Sequence, residues 1–384
     1  MRVIYLTGEV QRLDGSNRLV LAVSDFDGLY GVRRRLTQRA RLLANAQGAQ
    51  AVAVIPWPQA MLTTADEANN HGDDAASRRM FTTLAERLAL LERLTLFDTV
   101  VVAPVTSGAA GITDVKDAVK ATDSGDLPHA LWRRMQSLGA VVALLGATDD
   151  PLPAAIMDQA RAAGGAVETL TPEGEREMTT AAQLQRLVAA GEIAQVTQRL
   201  SHTYSITGEV IAGDRRGRLL GYPTANMRPD PRKPTPAHGI YAVRVALPGE
   251  LEPTHPAVTS VGVRPTFGEG LQPLVETYLF DLTMDLYGLS LNVAFVAWLR
   301  EERRFTSVDA LIDQMALDTQ QARAMLASDD DTGMTRHGTT TADNADNADN
   351  ADNADRPGAS QTTDRATNEA ATNEADRIGR RRPA

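Results

Sequence analysis

Short apolar runs alternate with polar, helix-patterned stretches through the first half of the chain. Leu19 to Val23, Ala51 to Ile55, Thr99 to Pro104 and Ala140 to Leu145 are nearly unbroken apolar segments of strand length, as expected for strands buried on both faces of a parallel sheet. The clearest intervening helix places Leu84, Leu88, Leu91 and Leu94 on one face. Thr83 and Glu86 precede it at capping-box spacing, which marks its start. Strand alternating with helix predicts βαβ units and an α/β first domain.

From Tyr204 the period changes to two. Tyr241, Val243, Val245 and Leu247 alternate with other residues, as do Leu291, Val293, Phe295, Ala297 and Leu299. Glycine and proline separate the runs, so the second half reads as an antiparallel sheet or barrel with these positions on its inner face. A closing helix is predicted to begin near Thr306 or Ser307, with Asp309 in its first turn and Leu311, Ile312, Met315 and Leu326 turned inward. After Ala327 the chain turns to Asp-Asp-Asp, Ala-Asp-Asn repeats from Ala342, two copies of Ala-Thr-Asn-Glu-Ala and a basic end at Arg380, Arg381 and Arg382. That composition lacks the apolar surface needed to offset ordering entropy, so a disordered tail is expected. The expected division is 1–200, 201–327 and 328–384, since 384 residues exceed what one core normally organises.

Composition narrows the function classes. The net charge is −10, but the residues from Asp329 onward hold 7 basic against 12 acidic, so half of it belongs to the tail. A mildly acidic body with 4% aromatic residues argues against a nucleic-acid partner, because single-strand binders need basic grooves and stacking platforms. Cysteine is absent, which removes disulfides and thiolate metal sites and fits a reducing cytoplasm. No run approaches membrane-span length, and the start lacks a signal-peptide pattern, so a soluble cytoplasmic protein without membrane partners is expected.

The candidate chemistry lies in residues 208–226, GEVIAGDRRGRLLGYPTAN. Gly213, Gly217 and Gly221 let the backbone turn sharply and approach a ligand, as a phosphate cradle requires. Pro223 stiffens the backbone at the next residues, and the Thr224 hydroxyl and Asn226 amide oxygen, two residues apart, suit one hard cation such as Mg2+ beside ATP. Of the nearby arginines, Arg218 is assigned to phosphate because guanidinium matches phosphate geometry, whereas Arg300, Arg303 and Arg304 read as surface or salt-bridging groups.

This stretch resembles the riboflavin kinase module of the bacterial bifunctional riboflavin kinase/FMN adenylyltransferases, the FAD synthetases. The resemblance continues through HGIYAVRV (238–245), TSVGVRPTFG (259–268), VETYLFDLTMDLYG (275–288) and LREERRFTSVDALIDQMALD (299–318). It implies a Rossmann-like nucleotidyltransferase domain followed by an antiparallel β-barrel kinase domain with a terminal helix. It also implies riboflavin and ATP as substrates and FMN as product. Thr224 and Asn226 would hold Mg2+ and the ATP phosphates, and Glu276 would be the general base. The segments Val263 to Gly268 and Asp285 to Gly288 would shape the flavin and nucleotide pockets.

The first domain departs from the same family's pattern. Where the family turn has two histidines, this chain has Tyr30 and Arg33 within Ser24-Asp25-Phe26-Asp27-Gly28-Leu29-Tyr30-Gly31-Val32-Arg33. Pro56-Trp57-Pro58 replaces a Pro-His-Pro, and Thr180 to Gln185 lacks the arginine of the corresponding stretch. Losing several phosphate-binding groups removes much of the electrostatic stabilisation such a transfer needs, so adenylyltransferase activity is expected to be lost and the domain kept as a scaffold. The alternatives are a fully bifunctional enzyme, with Arg33, Arg34 and Arg35 standing in for the histidines, and a non-catalytic flavin-binding or interaction protein.

Overall fold

The apolar runs of the first half become strands of one sheet. The computed structural model describes residues 1–6, 12–13, 18–58, 80–105, 126–148, 151–200, 202–213, 217, 220–266 and 270–332. Six strands, β1 (Arg2–Tyr5), β2 (Arg18–Val23), β3 (Gln50–Pro58), β4 (Thr99–Val105), β5 (Ala140–Ala147) and β6 (Val167–Leu170), pair in parallel in the order β1-β4-β3-β2-β5-β6. Because successive side chains alternate, the inner strands β2, β3, β4 and β5 each feed two cores. Val20, Ala22, Ala53, Ile55 and Val100 meet α1 (Arg33–Gln47) and α2 (Leu84–Leu94) on one face. Leu19, Leu21, Val52 and Val54 meet α3 (Asp126–Leu138) and α4 (Pro151–Ala162) on the other. The predicted capping box at α2 is present, with reciprocal Thr83 and Glu86 contacts. Thr180 and Gln183 form a second one at α5 (Ala181–Ala189), so the stretch that departs from the family pattern works here as a helix start.

After α6 (Ile193–Leu200), six strands close an antiparallel barrel: β7 (Ser205–Ile211), β8 (Ala225–Met227), β9 (Gly239–Ala246), β10 (His255–Thr266), β11 (Gly270–Leu279) and β12 (Ser290–Arg300), in the order β10-β11-β8-β7-β12-β9. Tyr241, Val243, Val245, Leu291, Val293 and Phe295 fill its interior, as their period predicts. Ala297 and Leu299 do not. A bulge after Phe295 shifts the register against β9 and reverses which side chains point inward. Both therefore pack outside the barrel beside Ala322 and Leu326, while Trp298 joins the inner cluster.

The closing helix, α7 (Val308–Thr332), starts with the Ala310 amide donating to Ser307 Oγ at 3.1 Å. It continues five residues past Ala327, the point at which the sequence pattern ends the domain. Residues 333–384, which hold most of the expected tail, lie outside the described residues.

Sheet and barrel share a core. Tyr30, Phe81, Leu184, Val188, Ile193 and Val196 belong to the same buried cluster as the barrel interior. Ring pairs Tyr30–Phe81, Phe81–Tyr204 and Tyr204–Phe295, at centroid distances of 6.0, 5.8 and 6.3 Å, run from one part into the other. Among the described residues, no helix is long and apolar enough to cross a membrane.

Candidate active site

The candidate site is built on a three-residue strand. Before β8, the amides of Leu220 and Tyr222 both donate to Gly217 O, at 3.0 and 2.8 Å. A Cβ on Gly217 would stand 2.2 Å from Tyr222 O, so the turn closes only over glycine. Gly221 comes next at φ +84°, a left-handed conformation that L side chains rarely adopt. Pro223 then leads into Thr224, Ala225 and Asn226.

Alternation decides which of these side chains reach a ligand. Ala225 and Met227 enter the barrel core with Val275, and Thr277 is fully buried, its hydroxyl 2.9 Å from that of Thr259. Thr224, Asn226, Glu276 and Tyr278 are therefore on the outer face. Asn226 and Glu276 are direct register partners across β8 and β11, a position that holds Cβ atoms roughly 4.5–5.5 Å apart. The residue that the family resemblance names as base thus lies beside the pair named for metal and phosphate.

Asn226 is only 5% exposed. Its Nδ2 donates to Thr224 O at 3.4 Å, while Oδ1 is buried with no hydrogen-bond partner among the described residues. Gly213 makes room for it, since a Cβ there would come within 2.5 Å of Asn226 Nδ2. A buried acceptor left without a donor is uncommon and costly, and an amide oxygen beside a threonine hydroxyl is the donor set a hard cation takes. No cluster of three or more histidine, cysteine or acidic residues occurs among the described residues. A cation here would draw its remaining ligands from phosphate and water, as magnesium commonly does.

Two spaces meet at Thr224. One, of about 580 Å³, is lined by Thr224, Glu276, Tyr222, Tyr278, Phe305 and Met315, among others. The other, of about 70 Å³, is lined by Thr224, Asn226, Pro223, Asp285 and Tyr287, among others. The larger volume is typical of a small-molecule pocket. Tyr222 and Tyr278 stand edge to face at its wall, 5.2 Å between ring centroids.

Of the other sequence-predicted residues, Asp285 and Tyr287 line the smaller space, and the Tyr287 amide donates to Asp285 Oδ1 at 3.2 Å. Val263 is exposed and away from both spaces. Arg215, Arg216 and Arg218 lie outside the described residues, as do 267–269. Arg300 is the salt-bridging group its neighbours suggested, donating to Asp318 at 2.8 and 2.6 Å and so tying β12 to α7. Arg303 and Arg304 are exposed at the rim of the larger space. Sequence reasoning did not single out Ser260, Glu302, Tyr222 or Tyr278. Ser260 and Tyr278 share the outward period of Glu276, which was the available signal. Glu302, which accepts from Ser260 Oγ at 3.2 Å, had none.

These geometries fit the comparisons. Residues 200–326 match the family profile described as Flavokinase: Riboflavin kinase. The chain is 38% identical over 156 residues to a bifunctional riboflavin kinase/FMN adenylyltransferase of Escherichia coli, covering 41% of this chain and 48% of that one. It is 34% identical over 148 residues to the protein of that name from Listeria monocytogenes, covering 38% and 46%. The chain thus spans about half the length of these curated relatives. The fold has a counterpart that extends beyond the matched segment. The crystal structure of a macrolide-efflux protein from Streptococcus pneumoniae overlays with TM-score 0.61 at 20% identity, covering 84% of this chain and 99% of that one.

The α/β part has its own cleft candidate. In an open parallel sheet, ligands bind where strand order reverses, beyond the carboxyl ends of the strands. Here that point lies after β2, at Ser24 and Asp25, where β5 sits on one side and β3 on the other. Internal contacts use the turn. Asp27 accepts from the Phe81 amide at 2.9 Å, the Thr82 amide at 2.7 Å, Thr82 Oγ1 at 2.8 Å and Arg87 Nη2 at 2.9 Å. Those bonds hold Phe26, Gly28 and Leu29 at positive φ. Arg33, 5% exposed, donates to Asp25 Oδ1 at 2.6 Å and stacks on Tyr30 at 4.9 Å. Burial alone would raise the Asp25 carboxyl, but the guanidinium of Arg33, helped by Arg87, holds it well below the usual range. Arg35 is bound by Glu173 at 2.5 Å and Glu177 at 3.0 Å.

Proposed function

We propose that this protein transfers the γ-phosphate of ATP to the ribityl 5'-hydroxyl of riboflavin, giving FMN and ADP. The observation that carries the reading is the direct pairing of Glu276 with Asn226 across two strands, with Thr224 shared by both adjoining spaces. Tyr222, Tyr278, Phe305 and Met315 offer the flat, largely apolar walls that suit an isoalloxazine ring. The narrower cleft at Asn226 suits the phosphates.

In this reading the ribityl oxygen attacks the γ-phosphorus, the bond to the β-phosphate oxygen breaks, and Glu276 accepts the hydroxyl proton. Phosphoryl transfer proceeds through a loose transition state, so positioning and charge stabilisation do most of the work. Thr224 Oγ1 and Asn226 Oδ1 would hold magnesium, which neutralises charge on the phosphates. Gly213 and Gly217 keep the backbone close enough for both side chains to converge. Division at residues 200 and 201 and a reducing, cytoplasmic setting complete the reading.

The α/β part, in the same reading, has lost FMN adenylylation. Arg33 and Arg35 are engaged by Asp25, Glu173 and Glu177, so neither stands in for a phosphate-binding imidazole. One assay tests both statements. Pure protein with riboflavin, ATP and magnesium should yield FMN alone, and a chelator should abolish it. FAD formed at a comparable rate would restore the bifunctional alternative, and unchanged riboflavin would end the kinase reading.

A further inference from the structure

Strand β8 is too short to hold its own place. It has three residues, pairs with β7 at two positions and with β11 at three, and leads away from a loop only partly described. Its far end is fixed by the segment Arg228 to Pro234, which is bolted to the α/β part. Within that segment, Arg232 folds back on Asp230, Nε to Oδ1 at 2.9 Å and Nη2 to Oδ2 at 2.6 Å, and the Lys233 amide donates to Asp230 O at 2.9 Å. The Met80 amide donates to Arg232 O at 3.0 Å, and Tyr204 OH to Pro234 O at 2.5 Å.

At its centre Lys233, 4% exposed, uses all three ammonium protons. They go to Glu86 Oε2 at 2.5 Å, Phe81 O at 2.7 Å and Ser205 O at 2.7 Å. Glu86 Oε1 in turn accepts the Thr207 amide of β7 at 2.7 Å. A buried ion pair generally stabilises no more than a well-packed apolar pair would, so directionality is its distinctive yield. One ammonium and one carboxylate here fix three things together: the start of α2, the first strand of the barrel and the exit of β8.

We propose that Lys233 and Glu86 are positioning residues for the kinase site, through which the α/β part sets where Thr224 and Asn226 stand. This rests on the kinase reading above, and it gives the sheet a task that needs no chemistry of its own. Small displacements of phosphate-positioning groups are costly, of the order of 100-fold for about 1 Å.

The test uses the full chain. Lys233→Met alone leaves Glu86 buried without its partner and should lower the melting temperature. The double variant Glu86→Leu/Lys233→Met removes both charges and should recover part of it, the remainder reflecting the Thr83 and Thr207 amides left without their acceptor. Its KM for ATP should nevertheless stay roughly 10- to 100-fold above wild type, with the KM for riboflavin changed less than about threefold. Amide exchange across residues 225–234 should be faster in the double variant than in wild type. Glu86→Gln, which keeps the side-chain shape, should show the same split at smaller amplitude, so the test survives a double variant that fails to fold. A folded variant with wild-type KM for ATP and wild-type exchange at 225–234 overturns the proposal. If the wild-type chain makes no FMN, the kinase reading fails on its own, and the exchange result still decides whether the sheet braces β8.

Discussion

Replacing Glu276 by glutamine separates proton transfer from everything else this side chain does. The amide has the same shape and keeps hydrogen-bonding capacity, and the residue sits on the outer face of β11, so the core contacts of Val275 and Thr277 are untouched. The register opposite Asn226 is set by backbone pairing and by the Thr259–Thr277 contact inside the barrel, not by the carboxylate. Positioning of Thr224 and Asn226 should therefore survive. The loss is confined to acceptance of the ribityl proton, which for a general base is worth about 10²- to 10⁴-fold. That loss corresponds to roughly 3–5 kcal/mol of barrier. The assay is steady-state FMN formation under saturating riboflavin and magnesium-ATP, with KM for each substrate and the melting temperature measured alongside. The expected result is a kcat fall in that range, with both KM values within about threefold and an unchanged melting temperature. Turnover within about tenfold of wild type would refute the base assignment. A large rise in the KM for ATP would show instead that the carboxylate serves nucleotide binding.

Local geometry gives two more expected outcomes. Gly217→Ala would place a methyl carbon 2.2 Å from Tyr222 O, far inside van der Waals contact. The variant should lose about 1–3 kcal/mol of stability, the usual cost of overpacking, and bind ATP more weakly; wild-type melting and KM would show that the turn is not rigid. His202 is held neutral, its pKa lowered from 6.5 to about 4 by burial and then by Arg93, although Nε2 lies 2.7 Å from Gly28 O. As pH falls through that window, the unfolded chain gains a proton that the folded chain refuses, so stability is full above pH 6.5 and declines toward pH 4. The decline amounts to at most about 3 kcal/mol. His202→Gln should flatten the dependence of melting temperature on pH over this range, and an unchanged slope would place the effect elsewhere. The depressed Asp25 acts only at lower pH, below the ordinary carboxylate value of 3.8, and does not confuse the measurement.

Periodicity carried most of the fold. Apolar runs at β2 to β5 and the α2 stripe state buried strands and an amphipathic helix, because each depends on which face of a local element meets water. The inner face of β9 was legible for the same reason. Ala297 and Leu299 were not, because a single bulge reverses alternation and leaves no mark in composition. Chain order says nothing of strand order, so the switch point after β2 and the closure of the barrel appear only in space. The continuation of α7 through Asp329, Asp330 and Asp331 also runs against local composition.

For the site, the Gly-Tyr-Pro-Thr-Ala-Asn stretch was visible as residue types able to hold a cation, whereas the distant glutamate was named as a base only through the family resemblance. Their convergence was not visible, since Glu276 lies fifty residues from Asn226 and meets it only because β8 and β11 pair in one register. The buried Lys233 reads in sequence as one more cation in a proline-rich loop. Only tertiary structure surrounds it with Glu86, Phe81 and Ser205. Local pattern records how each segment divides between water and core, whereas the meeting of polar groups from remote segments depends on long-range packing that no local period encodes.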